Sequence, residues 1–194
     1  MDETIKIPSD IKHIGFFADV HGHYERMLTM FNDNPDICHW FCCGDLIDMK
    51  QPLHNNQPTL RVAKKYNVIS VIGNHELSFR KNGLSGYDQD NQDYLQDMPL
   101  CVDIEFNEKK ISVFHASPAS VDEYIPSNMD EERLQEIFAD VKSDIIVLGH
   151  LHESFHKKIN SFRVVNPGSL GVPIDKPSYC IISHDGNVEI KEFI

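Results

Sequence analysis

The fold is decided by the stretch Ile14-Gly15-Phe16-Phe17-Ala18-Asp19-Val20-His21, in which an apolar run ends on an acid and a histidine. A short continuous apolar run of this kind is typical of a strand that is buried on both faces. Directly after Gly22, apolar residues recur at helical spacing, at Tyr24, Met27, Leu28 and Phe31. This part of the chain therefore predicts a buried strand that leads into an amphipathic helix.

The alternation of strand and helix continues outward from this stretch. The first strand is predicted over 11–19, and further buried strands over 37–43 and 67–72 are separated by a helix at 60–66, which predicts a β-α-β-α-β order and a partly parallel sheet. The second half predicts a hairpin of strands 99–106 and 110–115, a helix with an acidic first turn at 130–132, and a strand over 144–148. The stripe that this helix buries comprises Leu134, Ile137, Phe138 and Val141. Four short strands are predicted at 155–159, 162–165, 179–183 and 188–193, and the polar segments 49–59 and 81–91 predict rim loops.

Composition limits the class of protein. With 194 residues, 41% apolar residues and a net charge of −12, the chain predicts one globular domain over 1–194 with an acidic surface. Such a surface repels nucleic-acid polymers and anionic membranes, and no apolar run approaches the ~20 residues of a membrane span. The first six residues lack the pattern of a signal peptide. An odd number of cysteines, five, argues against a disulfide framework and predicts a reducing, cytoplasmic location.

Polar side chains follow five of the apolar segments, at the point where each segment ends. They are Asp19 and His21, Asp45, Asn74, His115, and His150 and His152. In sheets with crossover helices, ligands bind at the carboxyl edge of the strands. Residues at i and i+2 of an extended segment point the same way, so each Asp-x-His or His-x-His pair is expected to aim both side chains into one space.

The number of these side chains predicts more than one metal ion. A single zinc site takes about three or four protein ligands, whereas seven nitrogen and oxygen donors suit two ions that share a ligand. Asp45, with two carboxylate oxygens, is the natural bridge. Each motif alone is common in proteins as a turn or a hydrogen-bonded histidine, but their coincidence at successive strand ends favours a metal centre.

The ordered motifs resemble those of the calcineurin-like metallophosphoesterases. They are Asp19-x-His21, Gly44-Asp45-x-x-Asp48, Gly73-Asn74-His75-Glu76, His115 and Gly149-His150-x-His152. The length of the chain and the turn Asn166-Pro167-Gly168-Ser169 resemble the small bacterial and archaeal phosphodiesterase branch. Two departures are Met49-Lys50, where the protein phosphatases and dinucleoside tetraphosphatases of this superfamily usually carry Arg-Gly, and Ala116, where Gly is common. The first departure argues against a phosphoprotein or tetraphosphate substrate.

The resemblance implies an α/β (α+β) fold with four layers, in which helices flank a β-sandwich of two sheets. It also implies two groups of metal ligands. One metal would take Asp19, His21, Asp45 and His152, and the other Asp45, Asn74, His115 and His150. His75 would lie over the substrate without binding a metal, and with Asn74 it would contact the substrate. A homodimer is compatible with the resemblance.

These residues predict a dinuclear metal-dependent phosphoesterase. We expect attack on a small phosphodiester, such as a 2′,3′-cyclic nucleotide, by a hydroxide that bridges two divalent metal ions, with His75 protonating the leaving group. Manganese is favoured, and Fe, Zn, Ni and Co also suit these ligands. A phosphomonoesterase and a non-catalytic interaction scaffold of the same fold are the alternatives. Either Asp48 or Glu76 could orient His75, while His23 and His54 are candidates for the pocket or for plain surface.

Three other motifs predict no function. His152-Glu153-x-x-His156 matches a zinc-protease signature, but that motif requires a helix and this segment predicts a strand. The acidic segment 88–93 resembles a calcium loop, lacks the required Gly and Glu, and predicts a solvated loop. Cys42 and Cys43 lie in an apolar run and predict core positions.

Overall fold

The computed structural model describes residues 4–50 and 53–193, with Leu53 described in its backbone alone. Within these residues the chain forms eleven strands and five helices. The strands are β1 Ile5–Lys6, β2 His13–Phe17, β3 Trp40–Cys42, β4 Ile69–Ser70, β5 Cys101–Phe106, β6 Lys109–Phe114, β7 Ile145–Val147, β8 Ser154–Ile159, β9 Phe162–Pro167, β10 Ser178–Ser183 and β11 Val188–Glu192. The helices are α1 Tyr24–Asp33, α2 Leu53–Lys65, α3 Asn74–Asn82, α4 Gln89–Asp97 and α5 Glu131–Ile137.

The strands form two mixed sheets. The five-stranded sheet has the order β11-β10-β2-β3-β4, and the six-stranded sheet has the order β1-β5-β6-β7-β9-β8. In the first sheet β2, β3 and β4 are parallel, as the β-α-β-α-β pattern predicted. In the second sheet β6, β7 and β9 are parallel, and β5 and β6 form the predicted hairpin. The carboxyl ends of the parallel strands in each sheet therefore lie at one edge.

The layers pack against one another through three apolar clusters. These clusters form because successive side chains of a strand point to opposite faces of its sheet. In β2, Phe16 packs between the sheets, whereas Phe17 packs under the helices α1 and α2. In the six-stranded sheet, Ile145 faces the other sheet, whereas Ile146 packs against α5. Both sheets are thus buried on two faces, which is why their central strands read as continuous apolar runs. The predicted sandwich flanked by helices is confirmed.

Two predicted loops are wrong in part. Within 49–59, residues 53–59 form the first turns of α2, while 51–52 lie outside the described residues. Leu60 and Ala63 are fully buried, and this tertiary packing keeps the helix despite Pro58. Within 81–91, irregular structure is limited to 83–88, between α3 and α4.

The segment 88–93 is likewise not a solvated loop. Asp88 caps α4 by accepting a hydrogen bond from the Asn91 N–H at 3.0 Å. The helices α3 and α4 carry few buried apolar residues, so their sequences show no clear helical stripe.

The helix α5 ends at Ile137, with Phe138 as its C-cap, so Val141 of the predicted stripe lies beyond it. In the described part of the chain, no helix is long and apolar enough to cross a membrane.

Candidate metal centre

The polar residues that follow the strands meet at one edge of the sandwich. The backbones of the two loops after β2 and β3 remain paired, since the N–H groups of Asp19 and His21 donate to the carbonyls of Gly44 and Asp45. The loop after β7 joins them because the His150 N–H donates to the Asp19 carboxylate at 2.9 Å. These bonds bring both sheets to the same site.

One group of donors comprises Asp19, His21 and His152. The Nε2 atoms of His21 and His152 are 3.0 Å apart. Oδ1 of Asp19 lies 3.5 Å from Nε2 of His152 and 3.9 Å from Nε2 of His21. Asp19 and His21 are buried, and the side chain of His152 is 22% exposed. The three side chains could share one cation.

A second group comprises Asn74, His115 and His150, with Asp45 between the groups. Oδ1 of Asn74 lies 2.9 Å from Nε2 of His115 and 3.2 Å from Nδ1 of His150. Oδ2 of Asp45 lies 3.5 Å from Nε2 of His115 and 3.9 Å from Nε2 of His21. One carboxylate oxygen of Asp45 therefore faces both groups.

Two of these histidines make the hydrogen bonds that are expected of metal ligands. Nδ1 of His115 donates to the carbonyl of Cys43, and Nδ1 of His152 donates to the carbonyl of Val172, each at 2.6 Å. A carbonyl can only accept, so these bonds place a proton on Nδ1 and direct Nε2 toward the cluster. Metal-ligating histidines are usually oriented in this way by the bond of their other nitrogen. Imidazole, amide and carboxylate donors together suit a divalent transition metal.

Burial and charge shift the pKa values of the cluster in opposite directions. Burial lowers the pKa of His21 and His150, which favours neutral rings. Burial also acts to lower the pKa of His115, but the adjacent Asp45 carboxylate outweighs it and raises the pKa to about 10. For Asp45, burial acts to raise the pKa, and His115 nevertheless holds it well below its usual range. Asp45 and His115 thus stabilise each other's charged forms.

Backbone conformation positions most of the cluster. Five of the candidate ligands have positive φ angles: Asp19 at 52°, His21 at 48°, Asp45 at 55°, His150 at 72° and His152 at 60°. The prediction that Asp19 with His21, and His150 with His152, converge along extended segments is therefore wrong in its reasoning. The side chains of Asp19 and His21 do converge, whereas those of His150 and His152 face different groups of donors. Both pairs lie in left-handed turns, which non-glycine residues rarely adopt.

The glycine at 73 permits the close approach of two loops. A Cβ atom built at Gly73 would lie 2.1 Å from Oδ1 of Asp45 and 2.5 Å from its backbone nitrogen. The φ of Gly73 is −92°, so any residue could adopt its conformation and space alone requires glycine. Gly73 therefore lets α3 begin directly against the Asp45 carboxylate.

His75 lies beside the cluster and is 16% exposed. Its ring centroid is 4.8 Å from that of His21. Nδ1 of His75 lies 3.1 Å from the N–H of Met49 and 3.3 Å from Oδ1 of Asp48. The neutral ring accepts from Met49 and carries its proton on Nε2, whereas the protonated ring pairs with Asp48. Nε2 is left for a substrate in either form.

Glu76 serves the backbone rather than His75. It is fully buried, and its carboxylate accepts from the N–H groups of Asp45 and Gly73 at 2.9 Å and of Ile47 at 3.0 Å. Burial raises the pKa of this carboxyl to about 7. Of the two residues left open as partners of His75, Asp48 is the one that reaches the ring.

Sequence reasoning missed some supporting residues and left others undecided. The hydroxyl of Ser169 donates to the backbone carbonyl of Asp19 at 2.7 Å, and the turn motif 166–169 was the signal for it. Asn56 binds the backbone of Asp48, and nothing in its sequence context indicated this. His23 directly precedes α1, and His54 is exposed on α2.

The zinc-protease motif is not helical, as predicted, because His156 lies on the strand β8.

Comparisons with known proteins agree with the fold. The family model of the calcineurin-like phosphoesterase superfamily domain matches residues 13–187, a range that contains all seven candidate ligands and His75. The chain is 27% identical over 220 residues to the uncharacterized protein MJ0912 of Methanocaldococcus jannaschii, covering 91% of this chain and 85% of that protein.

Solved structures show the same architecture. A metallophosphoesterase from Sphaerobacter thermophilus superimposes with a TM-score of 0.74 and 18% identity, over 95% of this chain and 89% of that chain. A structure described as a novel archaeal phosphodiesterase superimposes with a TM-score of 0.62 and 18% identity, over 93% of this chain and 99% of that chain.

Proposed function

The chain belongs to the calcineurin-like phosphoesterase superfamily, and from this premise we propose that it is a dinuclear metal-dependent hydrolase of small phosphodiesters. The observation that carries the proposal is the position of Asp45, one oxygen of which faces His115 on one side and His21 on the other. A carboxylate between two groups of donors suits two cations better than one.

The two ligand groups of the proposal follow the two clusters of donor atoms. Asp19, His21, Asp45 and His152 would hold one divalent ion, and Asp45, Asn74, His115 and His150 would hold the other. When bound, such a pair of ions offsets the negative charge on a phosphoryl group and acidifies the attacking water. The imidazole, amide and carboxylate donors, without a thiolate, suit Mn, Fe, Zn, Ni and Co, and of these we propose manganese.

The role of His75 is to protonate the leaving oxygen. Nδ1 of the protonated ring pairs with Asp48, so the proton on Nε2 is the one available to an ester oxygen. As the P–O bond breaks, its electron pair stays on that oxygen and takes the Nε2 proton, leaving a neutral ring. General acid catalysis of this kind contributes about 10²–10⁴-fold. Asn74 and His75 are proposed to contact the substrate.

Charge supports a small substrate. The net charge of −12 opposes long polyanions, whereas two divalent ions would make the site itself positive despite Asp19 and Asp45. The neighbour described as an archaeal phosphodiesterase favours a diester over a monoester. All five cysteines lie in the described residues and none forms a disulfide, which supports a reducing, cytoplasmic location.

Hydrolysis of an aryl phosphodiester by the purified chain loaded with Mn²⁺ tests the proposal. We expect turnover of bis(4-nitrophenyl) phosphate, faster than that of 4-nitrophenyl phosphate. Preference for the monoester would replace the diesterase by a phosphomonoesterase. Absence of turnover on both esters, with the ions bound, would favour the interaction scaffold.

A variant of His75 tests the assignment of the proton donor. We expect His75→Ala to retain both ions and to lose about 10²–10⁴-fold in turnover of a diester with an alkyl leaving group. Full activity of this variant on the alkyl ester would remove His75 from the reaction.

A further inference from the structure

Asn56 joins the helix α2 to the loop that carries Asp48. Its side chain is completely buried. Oδ1 of Asn56 accepts the N–H of Asp48 at 3.0 Å, and Nδ2 donates to the carbonyl of Asp48 at 2.9 Å. One planar amide therefore satisfies both backbone polar groups of Asp48, which fixes the orientation of that residue relative to the helix.

The carboxylate that Asn56 holds in place lies between two histidines. Oδ1 of Asp48 is 3.3 Å from Nδ1 of His75, and Oδ2 is 3.9 Å from Nδ1 of His21. Nδ1 of His21 is buried and makes no hydrogen bond, and Asp48 is the carboxylate that lies beside it. The bond made by one ring nitrogen sets the orientation and tautomer of the other.

The loop that contains His21 also packs against Asn56. A Cβ atom built at Gly22 would lie 3.2 Å from Oδ1 of Asn56, and the φ of Gly22 is 80°. The helix α2, the Asp48 loop and the His21 turn thus meet at one buried amide.

We propose that Asn56 is a positioning residue that aligns His75 for proton transfer by holding Asp48 in place. This inference rests on the proposed function, because it assumes that His75 protonates a leaving oxygen. Loss of Asn56 would free the backbone of Asp48, so its carboxylate would no longer hold Nδ1 of His75 in one orientation. Asn56 itself does not touch the substrate.

A series of diesters with different leaving groups separates this role from a structural one. Proton donation matters most for poor leaving groups, such as methanol, and little for 4-nitrophenol, which leaves without a proton. We expect Asn56→Ala to lose about 10–100-fold on the methyl ester, the range seen when a group that orients a metal-ligating histidine is removed, and to lose far less on the 4-nitrophenyl ester.

Thr59→Val is the matched control. Thr59 is also fully buried on α2, and its hydroxyl donates to the carbonyl of Asn55 at 3.0 Å rather than to the Asp48 loop. Any loss of activity in this variant should be equal across the leaving groups. If Asn56→Ala does not fold, Asn56→Asp keeps the shape of the side chain and the acceptor for the Asp48 N–H while removing the donor to its carbonyl.

A double-mutant cycle completes the test. In a His75→Ala background, Asn56→Ala should cause no further loss on the methyl ester, because the group that it aligns is already gone. An equal loss on all leaving groups, or a full additional loss in the His75→Ala background, would overturn the proposal while the phosphodiesterase stands. Failure of the unaltered, metal-loaded protein to hydrolyse any diester would overturn the proposed function, and this inference with it.

Discussion

Adding a single methyl group at position 73 should displace the carboxylate of Asp45, which is proposed to bridge two ions. In Gly73→Ala the new Cβ would meet Oδ1 of Asp45 at 2.1 Å, more than 1 Å inside ordinary contact, which begins at 3.4 Å. Its φ of −92° suits alanine, so the effect is steric rather than conformational. Overpacking of this kind costs about 1–3 kcal/mol of stability, and a misplacement of about 1 Å at a reacting site costs about 10²-fold in rate.

Isothermal titration with Mn²⁺ and hydrolysis of bis(4-nitrophenyl) phosphate measure the two consequences. Both ions should bind more weakly, because Asp45 faces both groups of donors, and turnover should fall about 10²-fold. The control is Gly83→Ala, where a Cβ meets nothing within 4 Å and the φ of 92° strains the backbone away from the site. That variant should lose stability and keep its activity. Wild-type affinity for both ions in Gly73→Ala would refute the bridging position of Asp45.

Three further predictions follow from the charges and positions of single residues. Asp45→Asn should reduce metal content, measured by elemental analysis, more than alanine at any one site histidine, and two fully occupied sites in that variant would argue against a shared ligand. The pKa of His115 is raised to about 10 in the metal-free protein, so its ring is protonated at pH 7 and cation binding must displace that proton. Calorimetry in buffers of different ionisation enthalpy should detect the release, and a binding enthalpy independent of the buffer would contradict it. His156→Ala should leave turnover within about twofold of the wild type, as exposed substitutions outside a site do, and a large loss would revive a role for the His152-Glu153-x-x-His156 motif.

The fold could be predicted from the sequence where the buried residues of a strand or helix are apolar and follow its periodicity. Continuous apolar runs such as that around Phe16 and Phe17 become central strands because both faces of each sheet are covered. The helices α3 and α4 could not be predicted in this way. Their buried positions are occupied by polar residues such as Glu76 and Asn91, so no apolar stripe marks them.

The candidate site was predictable as a set of residues but not as a geometry. Strand ends located the seven candidate ligands, and family resemblance divided them into two groups. The left-handed turns at Asp19 and His21 could not be inferred, since they depend on pairing with the loop after β3. The sequence also could not tell whether Asp48 or Glu76 contacts His75. The answer depends on which carboxylate binds backbone N–H groups and which one faces the ring.

The left-handed turns should affect how readily the protein is degraded in the cell. Each non-glycine residue held at positive φ costs about 1–3 kcal/mol, and five such residues, in three loops, are candidate ligands of the same site. Ions that bind only the folded chain would offset that strain by mass action. We therefore expect newly synthesised chains to be most susceptible to proteolysis before they acquire their ions, so that the supply of trace metal would govern the abundance of the protein as well as its activity.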